Sequence, residues 1–509
     1  MRRRKASITL LLTAAWLASC GAATRGEDPA PRAEASDQRV ATVEGSPMVR
    51  RVAAEWEPAL GVLVRWPPYV PHGLLVAIAR DSRLHLMVED DAAKDDARRW
   101  LDEWGVAADS VVFHRIPGSD DAAWPRDYGP HNVFTEEGEL VLVDARYDLS
   151  TPDSTLACDA PLMTPWNGGW GGGFEDYDIT HDDAAPTAIA AALGVRSLEL
   201  PAVLTGGNVA VDGRGTAFST CILTNENRAG GLDDDTFLGL AREELGIERY
   251  FVLPNFEDQG IQHVDCLLKL LEGERILVAR PPEDHPLHER YERIVDEHLA
   301  ALRAPSGRPY RILRIDTARY RGDELAAYTN SLVLNGSVYV PLFDCAQDEV
   351  ALEQWRAALP GHDVQGFPFR LADEPALPDR ARRMYPGAIG WRSFDALHCR
   401  TRAVWDPEML LVTIDDVERG GDSVVVTSTI VPYSGSGVVR DEARAHWRVA
   451  GEEEWRVAPL VRQEDGRFRA TLAGAPAAPT SIEVWVEATD GSGRRETSPR
   501  RAPAAFRTF

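Results

Sequence analysis

The sequence is poor in the residues that make local metal sites and redox motifs. It has six Cys in 509 residues, with no Cys-x-x-Cys, no Cys-x-x-Cys paired with His-x-x-x-His, and no His-Glu-x-x-His. These gaps argue against a structural or catalytic zinc site, which usually draws its ligands from closely spaced pairs. Long apolar runs are as scarce. Beyond the N-terminal stretch none reaches the about 20 residues a spanning helix needs. Basic residues are outnumbered, 55 Lys and Arg against 80 Asp and Glu, for a formal net charge of −25. Such a surface repels nucleic-acid phosphates and draws in cations, although solubility is the simpler reason for it. What is plentiful is apolar and aromatic: 44 % hydrophobic residues, with fourteen Trp, fourteen Phe and twelve Tyr. That is enough for large cores and excludes global disorder, and the length predicts more than one folded unit.

The N-terminus is patterned differently. Met1-Arg2-Arg3-Arg4-Lys5 is basic, and Ala6 to Leu17 is mostly apolar over about the length used by signal peptides. The ending Leu17-Ala18-Ser19-Cys20-Gly21 resembles the lipobox of bacterial lipoproteins, in which cleavage precedes a Cys that is then lipidated. The alternative is an ordinary secretory signal that happens to meet a Cys. Both predict export, with the chain lipid-anchored at the cell envelope through Cys20 or secreted. Cys158, Cys221, Cys266 and Cys345 are then available for disulfides, in a pairing that spacing does not reveal.

After a signal peptide at 1–19, residues 20–47 are rich in Ala, Glu, Asp, Arg, Pro and Ser and read as a flexible tether. From 48 to 409 short apolar strands alternate with helical stretches, which argues an α/β body. Leu60 to Trp66, Leu84 to Val88, Ile276 to Ala279 and Val338 to Leu342 read as strands. Asp91 to Trp104 and Asp348 to Leu359 have helical spacing, and Asn208 to Thr220 reads as a hairpin about Asp212-Gly213. Residues 410–509 differ. Met409 to Ile414, Asp422 to Pro432, Ala445 to Val449, Arg456 to Val461, Arg467 to Leu472 and Ser481 to Thr489 are strand-like, separated by Gly, Asp and Pro turns. That pattern predicts an immunoglobulin-like β-sandwich. It has no Cys, so a stabilising or spacing role is expected of it.

Three segments hold candidate chemistry. In Trp124-Pro125-Arg126-Asp127-Tyr128-Gly129-Pro130, an Asp held beside a turn offers a carboxylate edge that matches a planar guanidinium, with a flat Trp face nearby. The plainer alternative is a structural turn with a surface ion pair. In Gln262-His263-Val264-Asp265-Cys266, a strand would put His263 and Asp265 on one face, a proton exchanger beside a carboxylate. In Leu397-His398-Cys399-Arg400-Thr401, Cys399 is a nucleophile candidate, though a lone Cys is more often a small buried hydrophobe. His398 would point to the opposite strand face as a packing or orienting residue, which leaves His263 as the partner of Cys399.

Together these segments resemble the bacterial peptidylarginine deiminase and agmatine deiminase family of guanidino-group-modifying enzymes. The resemblance runs from about Glu55 to Val404. It includes Ala53-Ala54-Glu55-Trp56-Glu57-Pro58, Trp124 to Pro130, Trp166-Asn167-Gly168-Gly169-Trp170-Gly171-Gly172, Thr205-Gly206-Gly207-Asn208, Asp212 to Thr216, His263-Val264-Asp265, Tyr328-Thr329-Asn330-Ser331 and Asp395 to Thr401. It implies a pentein fold, a five-bladed β/α-propeller, for the catalytic domain at 48–409. A C-terminal immunoglobulin-like module also fits, since the secreted peptidylarginine deiminase carries one. It further implies Cys399 as nucleophile, His263 as general acid/base, Asp127 and Asp265 gripping the guanidinium, and Asn330 as a further site residue. Trp124, Arg126, Gly207 and Asn208 would line the substrate. No metal or organic cofactor is expected.

One departure bears on substrate. The secreted peptidylarginine deiminase holds a peptide's C-terminal carboxylate with an arginine pair. The corresponding Arg146-Tyr147-Asp148-Leu149-Ser150-Thr151-Pro152 lacks it, and Trp170-Gly171-Gly172 is reminiscent of agmatine deiminases. The expected activity is conversion of peptide- or protein-bound arginine to citrulline. The alternatives are agmatine deimination to N-carbamoylputrescine and a non-catalytic surface binding module.

Overall fold

The strand Ala59–Arg65 lies between partners from opposite ends of the body. It runs parallel to Arg83–Val88 and antiparallel to Arg402–Trp405, with Leu63 opposite Arg402. The structure is a computed structural model and describes residues 41–116, 123–147, 180–257, 261–384, 387–420, 423–476 and 480–509. Cys20, Cys158 and the Trp166–Gly172 segment lie outside these residues.

Among the described residues five small sheets share one plan: a short strand, an antiparallel second strand, and a third strand parallel to the second. One sheet is built on His131–Phe134, Leu140–Arg146 and Arg196–Val203, and another on Ala210–Val211, Thr216–Thr220 and Arg249–Leu253. Next come Leu268–Leu271, Arg275–Arg280 and Arg311–Asp316, then Leu332–Leu334, Ser337–Leu342 and Asp363–Pro368. The fifth is the sheet of Arg402–Trp405, Ala59–Arg65 and Arg83–Val88. The antiparallel pairs within the first four sheets need only tight turns, whereas Arg402–Trp405 returns from the far end of the body to pair with Ala59–Arg65. At one of these turns Asn335 and Gly336 both take positive φ, +46° and +88°, as a two-residue hairpin turn requires. The parallel pairs need crossovers, supplied by helices such as Ala185–Leu193, Asp234–Leu245, Gln347–Ala358 and His72–Asp81. The apolar sides of these sheets and helices bury one large core that includes Trp66, Trp355, Trp391, Leu74, Ile78 and Val340. The body is thus mixed α/β, and the strands and helices follow the hydrophobic spacing closely.

The C-terminal region is mostly strands. Leu410–Gly420, Ser423–Pro432, Phe468–Thr471 and Val461–Arg462 form one sheet, and Arg456–Pro459, Arg444–Val449, Ile482–Thr489 and Arg495–Ser498 another. They enclose a second core with Ile430, Trp447, Phe468 and Val484. The stretch expected as a single strand from Arg456 to Val461 is divided. Arg456–Pro459 pairs with Arg444–Val449, and Val461–Arg462 pairs with Phe468–Thr471. Paired backbone also begins earlier than residue 48. Thr42–Val43 pairs with Val438–Val439, and Ser46 N donates to Ile430 O at 2.6 Å, so this part of the expected tether is held by backbone hydrogen bonds.

Candidate active site

Each of the five sheets delivers a site residue from the turn just before its short strand. Asp127 sits in the helical turn Pro125–Tyr128 ahead of His131–Phe134, and Gly207 in Gly206–Asn208 ahead of Ala210–Val211. His263 and Asp265 precede Leu268–Leu271, Asn330 precedes Leu332–Leu334, and Cys399 precedes Arg402–Trp405. Residues far apart in sequence are thereby brought to one place. Two local expectations are corrected. His263 and Asp265 are not on a strand: His263 is the extended residue that starts the helical turn Val264–Leu267. The strand cannot form because Val264 N donates to the Asn208 side chain at 3.1 Å and Cys266 N turns back to His263 O at 3.1 Å. Cys399 is likewise in a turn, closed by Arg400 N to Leu397 O at 3.3 Å.

Gly207 marks the centre. Its N–H donates to Asp127 Oδ1 at 3.0 Å. A Cβ placed on it would lie 2.5 Å from that oxygen, 2.8 Å from His263 Nδ1 and 3.3 Å from Asp265 Oδ2. Two carboxylates and an imidazole therefore face one small space that only a residue without a side chain leaves open. His263 Nδ1 stands 3.5 Å from Asp127 Oδ1. Burial pushes the His263 pKa down, but Asp127, Asp265 and Glu226 more than offset it, so the imidazolium is favoured overall. Asp265 is held below the usual carboxylate range: burial raises it, and His398, His263 and Lys269 together outweigh that.

The sulfur of Cys399 is fully buried. It lies 3.9 Å from Asp265 Oδ2 and accepts from Asn330 Nδ2 at 3.3 Å. Asn330 Oδ1 in turn accepts from the backbone N–H of His398 at 3.0 Å and of Cys399 at 3.3 Å, which fixes the turn. The Cys266 thiol, hydrogen-bonded to Cys399, lowers the pKa of that sulfur. Burial and the carboxylates of Asp265, Asp127 and Asp395 together outweigh that effect and raise it to about 11. The free site therefore holds a thiol, and a cation seated between Asp127 and Asp265 would cancel part of what keeps it protonated.

Behind these groups is a buried ionic layer of His398, expected as a packing or orienting residue, with Glu55 and Lys269, to which the sequence alone assigns no role. His398 Nδ1 is 2.7 Å from Asp265 Oδ2 and its Nε2 is 2.6 Å from Glu55 Oε2. Lys269 Nζ donates to both Glu55 oxygens at 3.1 Å. His398 is thus an orienting residue for Asp265. Glu55 appears in the sequence only inside an Ala-Ala-Glu-Trp-Glu-Pro string, and nothing local ties it to His398, 343 positions away. Cys266 and Cys345, which the sequence leaves available for disulfides, are free thiols, Cys266 buried as Cys399 is. Cys221 is disulfide-bonded.

The remaining expected substrate-lining residues divide. Gly207 faces the centre. Asn208 does not: its side chain is spent on Thr220 and Val264 N, tying the glycine turn to its neighbours. The Nε of Arg126 donates to His398 O at 3.3 Å, and its charge acts on Glu55 and Lys269 in the ionic layer. Trp124 is buried, and its carbonyl accepts from Asp127 N at 2.9 Å, which sets the helical turn.

The profile of the Porphyromonas-type peptidyl-arginine deiminase family matches residues 51–371. A Vibrio parahaemolyticus protein with a provisional agmatine deiminase name is 24 % identical over 285 residues, 51 % of this chain and 73 % of its own length. A Mycoplasma mycoides protein named in the same way is 25 % identical over 315 residues, 57 % and 79 % of the two chains. The structure of an agmatine deiminase of Enterococcus faecalis is similar with a TM-score of 0.52 at 20 % identity, covering 71 % of this chain and 98 % of that one. A Porphyromonas gingivalis structure, provisionally titled an arginine deiminase, has a TM-score of 0.51 at 23 % identity, covering 70 % and 98 %. Fold and relatives together define a hydrolase of carbon–nitrogen bonds in linear amidines. The chain belongs to the Porphyromonas-type peptidyl-arginine deiminase family.

Proposed function

We propose that this chain deiminates peptide- or protein-bound arginine to citrulline, releasing ammonia through a covalent thiouronium on Cys399. The carrying observation is the buried meeting of Asp127, His263 and Asp265 around Gly207, with the Cys399 sulfur 3.9 Å from Asp265. Asp127 and Asp265 accept the guanidinium N–H groups and orient its central carbon toward the sulfur. The bound cation favours the thiolate, so the Cys399 thiol gives its proton to solvent and the sulfur adds to that carbon. The imidazolium of His263 gives its proton to the departing amine, and ammonia leaves. His263 then takes a proton from water, the hydroxide adds to the thiouronium carbon, and collapse expels the Cys399 thiolate while the added hydroxyl loses its proton to solvent, which frees the neutral ureido product. No step in this sequence calls for a metal or organic cofactor.

The family match favours arginine in a peptide or protein. A second reading, agmatine, is favoured by the agmatine deiminase names of the relatives and by the missing arginine pair in Arg146 to Pro152. Incubation with benzoyl-arginine amide, agmatine and free arginine, with colorimetric detection of the ureido product, separates the readings. Faster turnover of agmatine would overturn the first. Cys399→Ala must abolish turnover of whichever substrate is used.

The same proposal includes the finer architecture and location. The five sheets are read as blades of a pentein propeller over 48–409, and the two C-terminal sheets as an immunoglobulin-like module over 410–509. The signal at 1–19 and a lipid on Cys20 would hold the enzyme at the cell envelope, where arginine-bearing peptides are within reach and cytoplasmic agmatine is not.

A further inference from the structure

The reaction leaves the thiol of Cys266 unused. It is nevertheless buried beside the nucleophile, and no residue between the two cysteines in sequence foretells their meeting. The sulfurs of Cys266 and Cys399 and a carboxylate oxygen of Asp265 all lie within 4.8 Å of one another. Cys266 Sγ is 3.6 Å from Asp265 Oδ1, and Cys399 Sγ is 3.9 Å from Asp265 Oδ2. The Asn330 amide nitrogen faces both sulfurs, at 3.5 Å and 3.3 Å. All three donor residues are buried.

We propose that Cys399, Cys266 and Asp265 form a site for one soft divalent cation of the zinc or cadmium class, which blocks the nucleophile while it is bound. The donor set, two sulfurs and a carboxylate, suits such ions and does not suit magnesium or calcium, which take oxygen ligands. Zinc–sulfur bonds of about 2.3 Å and zinc–oxygen bonds of about 2.0–2.2 Å put tetrahedral donors roughly 3.5–3.8 Å apart. The two sulfur–oxygen distances are close to that spacing but end on different oxygens of the Asp265 carboxylate, and all three donors lie within 4.8 Å of one another, so rotation of that carboxylate and of the two thiols completes the set. Binding breaks two S–H bonds and forms two metal–sulfur bonds. Two protons pass to solvent and nothing is oxidised or reduced. The absence of closely spaced ligand motifs does not bear on this site, because Cys399 stands 134 positions from Asp265. The metal site rests on the donor geometry alone. Its competition with a guanidinium rests on the deiminase reading, since both would occupy Asp265 and Cys399.

Cadmium titration of the full chain, followed by thiolate-to-cadmium charge-transfer absorbance, tests the site without any turnover. One equivalent should saturate the band, and zinc should displace it. Cys266→Ala should weaken binding by more than about tenfold, while Cys345→Ala, which removes a free thiol elsewhere, should leave it unchanged. Should the alanine variant fail to fold, Cys266→Ser gives the same comparison. An unchanged affinity without Cys266, or loss of the band without Cys345, overturns the proposal. In parallel, zinc should inhibit ammonia release competitively with substrate, and a chelator should restore it. Cadmium binding without competition would leave the site standing and count against the deiminase roles of Asp265 and Cys399.

Discussion

The backbone N–H of Gly207 donates to Asp127 Oδ1 at 3.0 Å, and a methyl group on the same residue would stand 2.5 Å from that oxygen. The peptide that orients the carboxylate is thus also the one that must carry no side chain. Gly207→Ala should fold, yet displace Asp127 or His263 by a fraction of an ångström to an ångström. A fall in kcat/KM of about a hundredfold is expected, with Tm changed by only a few degrees. Wild-type kinetics in Gly207→Ala would show that the space at Gly207 is not the substrate site.

The thiol of Cys399 is held near pKa about 11 in the free protein, with Asp265 and Asp127 among the causes. A bound guanidinium stabilises the charged form, so it must lower that value. Thiolate absorbance, taken as the difference from Cys399→Ala, should therefore rise only at strongly alkaline pH. With an arginine compound bound to the turnover-deficient His263→Ala variant, the inflection should move down by more than about one pH unit. An inflection that ignores the ligand would remove substrate-assisted ionisation from the mechanism.

Glu55 reaches Asp265 through His398, by contacts of 2.6 Å and 2.7 Å, and also holds Lys269, whose charge acts on the same carboxylate. Glu55→Gln should loosen that arrangement and lower kcat/KM by about one to two orders of magnitude. It also leaves Lys269 buried without its carboxylate, so Tm should fall as well. The pH profile of kcat/KM distinguishes positioning from mere stability. A variant that melts earlier but keeps its profile and its rate per folded molecule would make Glu55 purely structural.

Three buried imidazoles make the fold acid-sensitive. Burial lowers His85 to about 3, with help from His114 and Arg83; it lowers His114 to about 4, and lowers His131 to about 3 with help from Arg402. Each takes up a proton in the unfolded chain near pH 6.5 but not in the folded one until far lower. Their contribution is therefore fully present above about pH 6.5 and is lost as pH falls toward about 4 for His114 and about 3 for His85 and His131, at about 1.4 kcal/mol per pH unit for each. His131→Gln, which can still donate to Leu204 O, should give a shallower acid decline in denaturant-derived stability. A slope equal to that of the wild type would assign the sensitivity to other groups.

Local pattern carried much of this into view. The apolar spacing of Asp91 to Trp104 and Asp348 to Leu359 marks helices that the structure sets at Asp91–Glu103 and Gln347–Ala358. The hairpin about Asp212-Gly213 is present, with Ala217 opposite Val211. Spacing misled at His263 and Asp265, where alternation reads as a strand. The decisive contacts there are Asn208 on Val264 N and the return of Cys266 N to His263 O. A two-residue repeat cannot report a hydrogen bond to a side chain 56 positions away.

The amino-acid order alone determined which reactive groups exist, and which stretches become strands and helices, because those follow from side-chain period and turn chemistry within a few residues. Tertiary structure alone decided which groups meet. Sheet register sets Arg402 opposite Leu63 and so positions the turn of Cys399, and the folded body joins Glu55 to His398 and Cys266 to Cys399 across hundreds or more than a hundred residues. Such meetings depend on the packing of every intervening element, and no window of neighbouring residues contains that information.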